Sequence, residues 1–467
     1  MTAKRFGFWF GLIAFLTTLL VPAPVGMPPL AWPTLGLVVW MATWWMTEAL
    51  PLTATALLPF VVLPLLGVSN ANETAATYYS PTMFLILGGA FLALAIERTG
   101  LHRRLALAIL ARTGSGAGSL LFAFMAAAAL LSMFVSNTST ALIMMPMALA
   151  VMAGGGIAEG DTEGLAGALP LGIAFAATIG GFGTIVGTPT NAISVGLLEK
   201  SLGLRISFAE WSAFGLPLVV LSIPLAAWII ARVQRLSTHP FDVAAARAAI
   251  AHEGAWTAPE LRLVPLFALT LIAWLGQPLV EPWVPQGGLT DGTIAIVAGL
   301  LLFVLPDGTG RPLLTWREAD RAPWAVIMMF GGGLALAAGM TASGLAGWLG
   351  QALLPLQAVP LVVVALVLVA FVVVVTEFAS NVATASGIMP VVAGLIAALG
   401  SDPLLLALPA AFAASWGFML PAGTGPNAIA WATGHIALPR MLKAGLLLDL
   451  VGVFLIVGVV WSVAAIL

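Results

Sequence analysis

Runs of about 20 apolar residues recur along this 467-residue chain from Phe6 to Leu467, each long enough to cross a ~30 Å hydrocarbon core as a helix. A backbone inside a bilayer has to satisfy its own N–H and C=O groups, so such runs become helices, and the fold class follows: an all-α polytopic membrane protein. Composition agrees, with 61% hydrophobic and only 8% charged residues, against roughly 45–50% apolar content in soluble domains. Lys4 and Arg5 precede the first run as they would in a signal peptide, but no small-residue cleavage site follows, so the run reads as a retained first helix. Without cysteine there is neither a disulfide framework nor a thiolate metal site. No basic run long enough to suggest nucleic acid is present.

The pattern predicts about 11 transmembrane helices, near residues 6–22, 30–49, 51–67, 81–97, 164–198, 208–233, 263–280, 291–305, 322–342, 402–434 and 441–467. Two further apolar blocks, 117–155 and 354–399, are interrupted near their middles by polar clusters and read as re-entrant helical hairpins. Lys and Arg test the topology. With the N-terminus cytoplasmic and both hairpins re-entrant, only Lys200 and Arg205 fall outside, and the C-terminus is extracytoplasmic. His102 to Arg112 reads as a short amphipathic helix along the inner interface. Residues 236–262 form the longest polar connection, a cytoplasmic loop with a possible helix at Phe241–Ile250.

The chain also repeats itself. SMFVSNTSTALIMMP aligns with TEFASNVATASGIMP when Asn137 lies over Asn381. GTPTNAI, Gly187 to Ile193, pairs with GTGPNAI, Gly423 to Ile429. GGAFLALAIERTGL from Gly88 pairs with GGGLALAAGMTASGL from Gly331, Gly100 over Gly344. Under the topology above the two halves run in opposite directions, an inverted-topology repeat. Such repeats place broken helices at the bilayer midplane, where half-helix ends and free carbonyls meet a substrate and its coupling ions.

Hard cations prefer oxygen donors. Ser132, Ser136, Asn137 and the Gly187 carbonyl form one candidate sodium site; Thr376, the Ala379 carbonyl, Asn381 and the Gly423 carbonyl form its counterpart. Asn137, Thr138 and Asn381 would donate to an anion, together with the adjacent helix N-termini. No Lys or Arg lies in either tip or either Gly-Thr break, so bound cations would neutralise the anion, and its uptake would be sodium-linked.

Other polar groups read more plainly. Ser139, Thr140 and Thr384 suit helix packing. Glu377, opposite Met133 in the repeat, suits a structural hydrogen-bonding role, Glu48 a turn and cap, and His102 and His435 the inner interface. The tryptophans, including the pairs Trp44 and Trp45, and Trp316 and Trp324, read as an aromatic belt. Neither paired Asp residues nor a Ser with a His is evident at midplane depth, which argues against an intramembrane hydrolase.

These motifs, with WWMTEALPLTATALLPFVVLPLLGV, GRPLLTW and FMLPAGTGPNAIA, resemble the divalent anion/sodium symporter family of sodium-coupled di- and tricarboxylate and sulfate transporters, most of all its bacterial sodium/dicarboxylate symporters. The resemblance implies a homodimer in the plasma membrane, each protomer working as an elevator. It implies scaffold helices over residues 1–80 and 263–321, and repeats over 81–235 and 322–467. Tips near 136–138 and 380–382 would face breaks near 187–191 and 423–427, with the 236–262 loop between the halves. The resemblance carries substrate contacts onto Ser136, Asn137, Thr138, Thr188, Pro189, Ser380, Asn381, Val382 and Thr424. Val382 stands where the family's second motif has Thr, as in some citrate-transporting relatives. Thr190 and Gly425 each replace one proline of a two-proline break. The expected function is sodium-coupled uptake of a C4-dicarboxylate such as succinate, malate or fumarate. Citrate or sulfate symport, sodium-independent dicarboxylate exchange and a passive channel are the alternatives.

Overall fold

The computed structural model describes residues 3–239 and 254–467, apart from 113, 115, 159 and 286, together with 242. The possible helix at Phe241–Ile250 lies outside the described residues. Everything regular among them is helical, save one isolated bridge between Pro306 and Pro312. Among the described residues, ten helices are long and apolar enough to cross a membrane, and four shorter apolar ones accompany them.

The chain begins with α1 (Ala3–Leu20), α2 (Ala31–Thr47), α3 (Leu52–Thr55), α4 (Leu58–Leu65) and α5 (Ala71–Thr77). The single helix expected over 51–67 is two pieces, because Pro59 lacks an N–H and its ring crowds the carbonyl of Thr55, four residues back. Glu48 closes α2 in a left-handed conformation and pairs with Lys4 at 3.5 Å. Trp44 and Trp45 are not belt residues. Both are buried, since each indole N–H finds a carbonyl inside the protein, Phe8 O and Leu52 O respectively.

Seven helices follow: α6 (Pro81–Thr99), α7 (Leu101–Leu110), α8 (Ala117–Ser132), α9 (Asn137–Gly154), α10 (Leu165–Gly180), α11 (Pro189–Leu202) and α12 (Phe208–Val233). After α13 (Ala258–Val280), α14 (Asp291–Val304) and the short α15 (Trp316–Ala319), the same order returns. It runs α16 (Trp324–Ala342), α17 (Leu345–Leu353), α18 (Leu361–Phe378), α19 (Asn381–Leu399), α20 (Leu404–Ala413), α21 (Gly425–Ala432) and α22 (Leu438–Ala464). The correspondence extends to single residues. Gly100 and Gly344, each between a long helix and the amphipathic one after it, share the left-handed conformation at φ 82°, ψ 3° and φ 80°, ψ 3°. The sequence alone did not predict α17, the counterpart of α7.

Two expected long helices are interrupted. The 164–198 run gives α10, two 3-10 turns at Gly181–Gly183 and Ile185–Gly187, then α11; the 402–434 run gives α20, an irregular segment at 414–424, then α21. Every residue of α10 is buried, as a helix apolar on all sides should be, and it packs against α8, α9, α12 and α21. The breaks lie back to back, with Phe182 of the first stacked on Trp416 of the second (5.4 Å, 11°) and Trp211 Nε1 donating to Phe182 O at 2.9 Å.

Several charged residues pair at the helix ends and in the loops between them. Asp307 accepts from Arg98 and Thr309, tying the 305–315 loop to α6; burial alone would raise its pKa, but these bonds outweigh burial and hold it below the usual carboxylate range. Arg104 is held by Glu260 at 2.9 Å, Arg321 by Glu97 at 3.1 Å, Arg205 by Glu281 at 2.5 Å, and Arg440 by Glu163.

Candidate functional site

Each hairpin turns at a Ser-Asn pair for a local reason. Ser136 is the N-cap of α9 and accepts from Ser139 N at 3.2 Å; Ser380 caps α19 and accepts from Ala383 N at the same 3.2 Å. That leaves each cap's hydroxyl proton free to donate. Asn137 and Asn381 then stand at the first position of their helices, where the backbone N–H groups lack intrahelical partners and the helix end is partly positive.

Behind each tip sits a cluster of three oxygens. Ser132 Oγ lies 2.8 Å from Asn137 Oδ1 and 2.5 Å from Ala177 O. Thr376 Oγ1 lies 2.9 Å from Asn381 Oδ1 and 2.7 Å from Ala414 O. In both, one hydroxyl proton serves two acceptors, so each cluster holds more lone pairs than hydrogens can satisfy. Ser132 and Thr376 are fully buried. A hard cation satisfies such a cluster; an anion does not.

The breaks complete the arrangement. Thr188 is the N-cap of α11 and Pro189 its first residue; Thr424 caps α21 and accepts from Asn427 N at 3.2 Å. Gly181 lies against Asn137, a Cβ there falling 2.8 Å from Asn137 Oδ1, and a Cβ on Gly187 would fall 2.5 Å from Gly181 O. The first break thus adjoins the first oxygen cluster. Tip 1 also reaches across to break 2, since a Cβ on Gly425 would lie 2.3 Å from Thr138 Oγ1. Glycine therefore stands in the second break where the first has Pro189.

A cavity of about 220 Å³ is lined by Ser136, Ser139, Gly187, Thr188 and Pro189, and also by Glu97 and Arg321. Tip 1 is the more open, with Ser136 and Thr138 exposed; Ser380, Asn381 and Val382 are half-buried. Of the residues the sequence singled out, the structure therefore brings together Ser132, Asn137 and, through Gly181, Gly187; Ser136, Thr188 and Pro189 share the cavity. Thr376 and Asn381 form the second cluster. Ala379 caps the end of α18, and Gly423 sits beside Glu377.

Several groups were not picked out from the sequence. The carbonyls of Ala177 and Ala414 have no side-chain signature. Asn191 Nδ2 donates to Gly181 O and Thr184 O at 2.7 and 2.8 Å, bracing break 1; Asn427 Nδ2 donates to Leu420 O at 3.1 Å in break 2. Both were visible inside GTPTNAI and GTGPNAI. Glu377 has the structural bonding its setting predicts, accepting from the N–H groups of Phe418, Met419 and Leu420 at 2.5, 2.9 and 3.1 Å. His435 is buried against Asp161 O at 2.8 Å, and His102 bonds Ile96 O at 2.9 Å.

A family model described as the sodium:sulfate symporter transmembrane region matches residues 3–467. The sodium-dependent dicarboxylate transporter SdcS of Staphylococcus saprophyticus is 39% identical over 469 residues, covering 97% of this chain and 90% of that protein. SdcS of Staphylococcus aureus strain MRSA252 is 38% identical over 476 residues, covering 99% and 91%. Among solved structures, the Alcanivorax borkumensis YdaH transporter superposes with a TM-score of 0.56 at 15% identity, covering 98% of each chain. Neisseria gonorrhoeae MtrF superposes with a TM-score of 0.61 at 11% identity, covering 98% and 94%. These two share the fold.

Proposed function

This chain belongs to the sodium:sulfate symporter family, a family of sodium-coupled membrane transporters rather than enzymes, and on that premise we propose that it carries C4-dicarboxylates such as succinate, malate or fumarate into the cell together with sodium. The observation that carries the reading is the pair of oxygen clusters, Ser132–Asn137–Ala177 and Thr376–Asn381–Ala414, at equivalent positions behind the two tips. With Gly187, Ser136, Ala379 and Gly423 they make up two sodium sites. The dianion binds between the tips, to Ser136, Asn137, Thr138, Ser380 and Asn381, along Val382, and to the helix ends at Thr188, Pro189 and Thr424. No Lys or Arg stands at either tip or break, so sodium supplies the neutralising charge and must bind for the dianion to be held. Each net positive charge moved inward gains about 2.3 kcal/mol per 100 mV of membrane potential. The relatives' names, which specify sodium and dicarboxylate, point the same way.

The working unit is a homodimer, with the helices of 1–80 and 263–321 as scaffold and the hairpins and breaks of 81–235 and 322–467 moving against them as an elevator. The N-terminus and the 236–262 loop are cytoplasmic and the C-terminus extracytoplasmic. Ion pairing supports the sidedness: Arg98 with Asp307, Arg104 with Glu260, Arg321 with Glu97 and Arg440 with Glu163 join residues assigned to the inner side, and Arg205 with Glu281 joins two assigned to the outer. The cavity below tip 1 reaches Glu97 and Arg321, so the site is open inward.

Proteoliposomes with an inward sodium gradient, given radiolabelled succinate, test this. Accumulation lost on replacing sodium by potassium is the expected result, with excess unlabelled succinate competing better than citrate or sulfate. Uptake indifferent to sodium but dependent on internal dicarboxylate would make the protein an exchanger. Stronger competition by citrate or sulfate would change the substrate and leave the coupling.

A further inference from the structure

Arg321 stands in the turn between α15 and α16 and is the one basic residue among those lining the cavity below tip 1. A second cavity, of about 440 Å³, adjoins the first and is lined by Arg98, His102 and Glu318 among others. The two share Leu94, Glu97, Ser139 and Arg321, so they meet between Ser139 on α9 and the Glu97–Arg321 pair. A ligand leaving tip 1 for the inner face passes that pair.

The charges there are not used alike. Arg98 is engaged on all three nitrogens: Nη1 donates to Pro312 O and Leu313 O at 3.2 and 2.5 Å, Nη2 donates to Asp307, and Nε lies 3.5 Å from Glu318. Glu318 in turn accepts from Thr315 and Arg311. Arg321 makes a single side-chain contact among the described residues, Nη2 to Glu97 Oε2 at 3.1 Å, and its side chain is 64% exposed. A guanidinium carries five N–H donors in a planar fork, so most of Arg321 is left for another acceptor. The repeat argues that helix packing does not require these charges. With Gly100 over Gly344, Thr341, Ala342 and Ala346 stand opposite Glu97, Arg98 and His102, and the cavity beside them, between α16, α17 and α19, has no charged side chain among its lining residues.

In the reading above the tips hold the dianion with sodium and no fixed cation. When sodium departs inward that neutralisation goes with it, and Arg321 is the first guanidinium the anion reaches. A carboxylate of the ligand has the same chemistry as Glu97, and the guanidinium fork can pair with either through two parallel N–H bonds. We propose that Arg321 is a release and specificity residue at the inner mouth, an anion subsite separate from the one between the tips. It trades Glu97 for a carboxylate of the departing dicarboxylate, and Glu97 then displaces the ligand and clears the mouth. The proposal rests on the sodium-coupled uptake and the sidedness proposed above.

Inside-out and right-side-out membrane vesicles expose opposite faces to labelled succinate, and KM is measured from each at saturating sodium. Arg321→Gln should raise KM at the inner face ~3-fold, the order expected for one exposed ion pair. Glu97→Gln removes the competitor and should lower it by about as much. Arg321→Lys keeps the charge without the fork and should fall between wild type and Arg321→Gln. KM at the outer face should move less in all three, and the inner-face differences should shrink when choline chloride raises the ionic strength. Shifts of the same sign in Arg321→Gln and Glu97→Gln would mean that the pair is only a structural tie, and would overturn the proposal. So would an inner-face KM unchanged in both, or equal shifts at the two faces. If Arg321→Gln fails to fold, an inner-face KM lowered by Glu97→Gln still supports the proposal and one raised or unchanged still overturns it. Wild-type vesicles that take up no succinate from either face would overturn the functional reading and this proposal together, whereas wild-type transport with any of the failures above removes the proposal alone.

Discussion

The two halves build the same oxygen cluster on different supports. In the first, Ser132, Asn137 and Ala177 O are backed by 3-10 turns whose N–H groups stay within the segment, and the space beside Gly183 is filled by the Met133 side chain. In the second, Thr376, Asn381 and Ala414 O are backed by the irregular 414–424 segment, three of whose N–H groups, those of Phe418, Met419 and Leu420, go to Glu377. The clusters match to within a few tenths of an ångström in their hydrogen-bond lengths, as the two equivalent cation sites proposed above require. The supports differ because many backbone paths can carry the same carbonyl to the same place. The equivalence then belongs to chemistry at the tips, and the asymmetry to folding behind them.

The most severe way to break this comparison is to remove one amide at a time. Asn137→Ala and Asn381→Ala should each reduce sodium-dependent succinate uptake to background, a loss of ~100-fold or more, since each removes one of the two acceptors of a buried hydroxyl and takes away a proposed ligand. Uptake into proteoliposomes measures it, with folding checked by size-exclusion elution. Full activity in either variant would refute the site assigned to that half. Equal losses would support two equivalent sites, while a graded pair would mean that one cation binds first and orders the other.

Exchanging the supports should have a smaller effect on transport and a larger one on stability. Glu377→Met puts the first half's residue into the second and strands three N–H groups, that of buried Phe418 and those of half-buried Met419 and Leu420, at roughly 1–3 kcal/mol for the buried one and less for the others. The purified variant should melt several degrees below wild type even in saturating sodium, whereas Met133→Leu should change the midpoint little. A Glu377→Met protein as stable as wild type would show that the 414–424 segment holds its shape without the carboxylate.

At the tips the difference is Thr138 against Val382. Thr138→Val makes the first tip like the second and removes one donor to a charged ligand, so KM for succinate should rise ~10-fold with little change in sodium dependence. Val382→Thr should act in the opposite direction and more weakly, because Val382 is half-buried and Thr138 exposed. A rise in half-saturating sodium after Thr138→Val would move Thr138 from the substrate to a cation.

Much of this was legible before any coordinates. Polar residues at Ser136–Thr140 and Ser380–Thr384 are conspicuous in an apolar chain, and each is followed by a Gly-Thr break in the same order, so tips, breaks and repeat could all be aligned by eye. What could not be read were groups without a side-chain signature: the Ala177 and Ala414 carbonyls, and the choice of 3-10 turns in one break against an irregular path in the other. Trp44 and Trp45 misled because composition near a membrane edge says nothing about whether an indole finds an acceptor inside.

The mildest test concerns Thr140 and Thr384, which are aligned in the repeat, buried, and without a protein partner for their hydroxyls. Thr140 N and Thr384 N donate to Ser136 O and Ser380 O at 2.8 and 2.9 Å, so the backbone of each first turn is secured without the side chain. Removing such a hydroxyl relieves an unmet desolvation cost while losing a methyl group's packing, two effects of about 1 kcal/mol and opposite sign. Thr140→Ala and Thr384→Ala should accordingly retain uptake within ~3-fold of wild type, with stability nearly unchanged. A large loss in both would mean that these hydroxyls turn toward the ligands in the loaded state, adding a matched pair of contacts to the site. A large loss in only one would carry the asymmetry from the supports into the tips, and the equivalence of the two proposed sodium sites would then have to be given up.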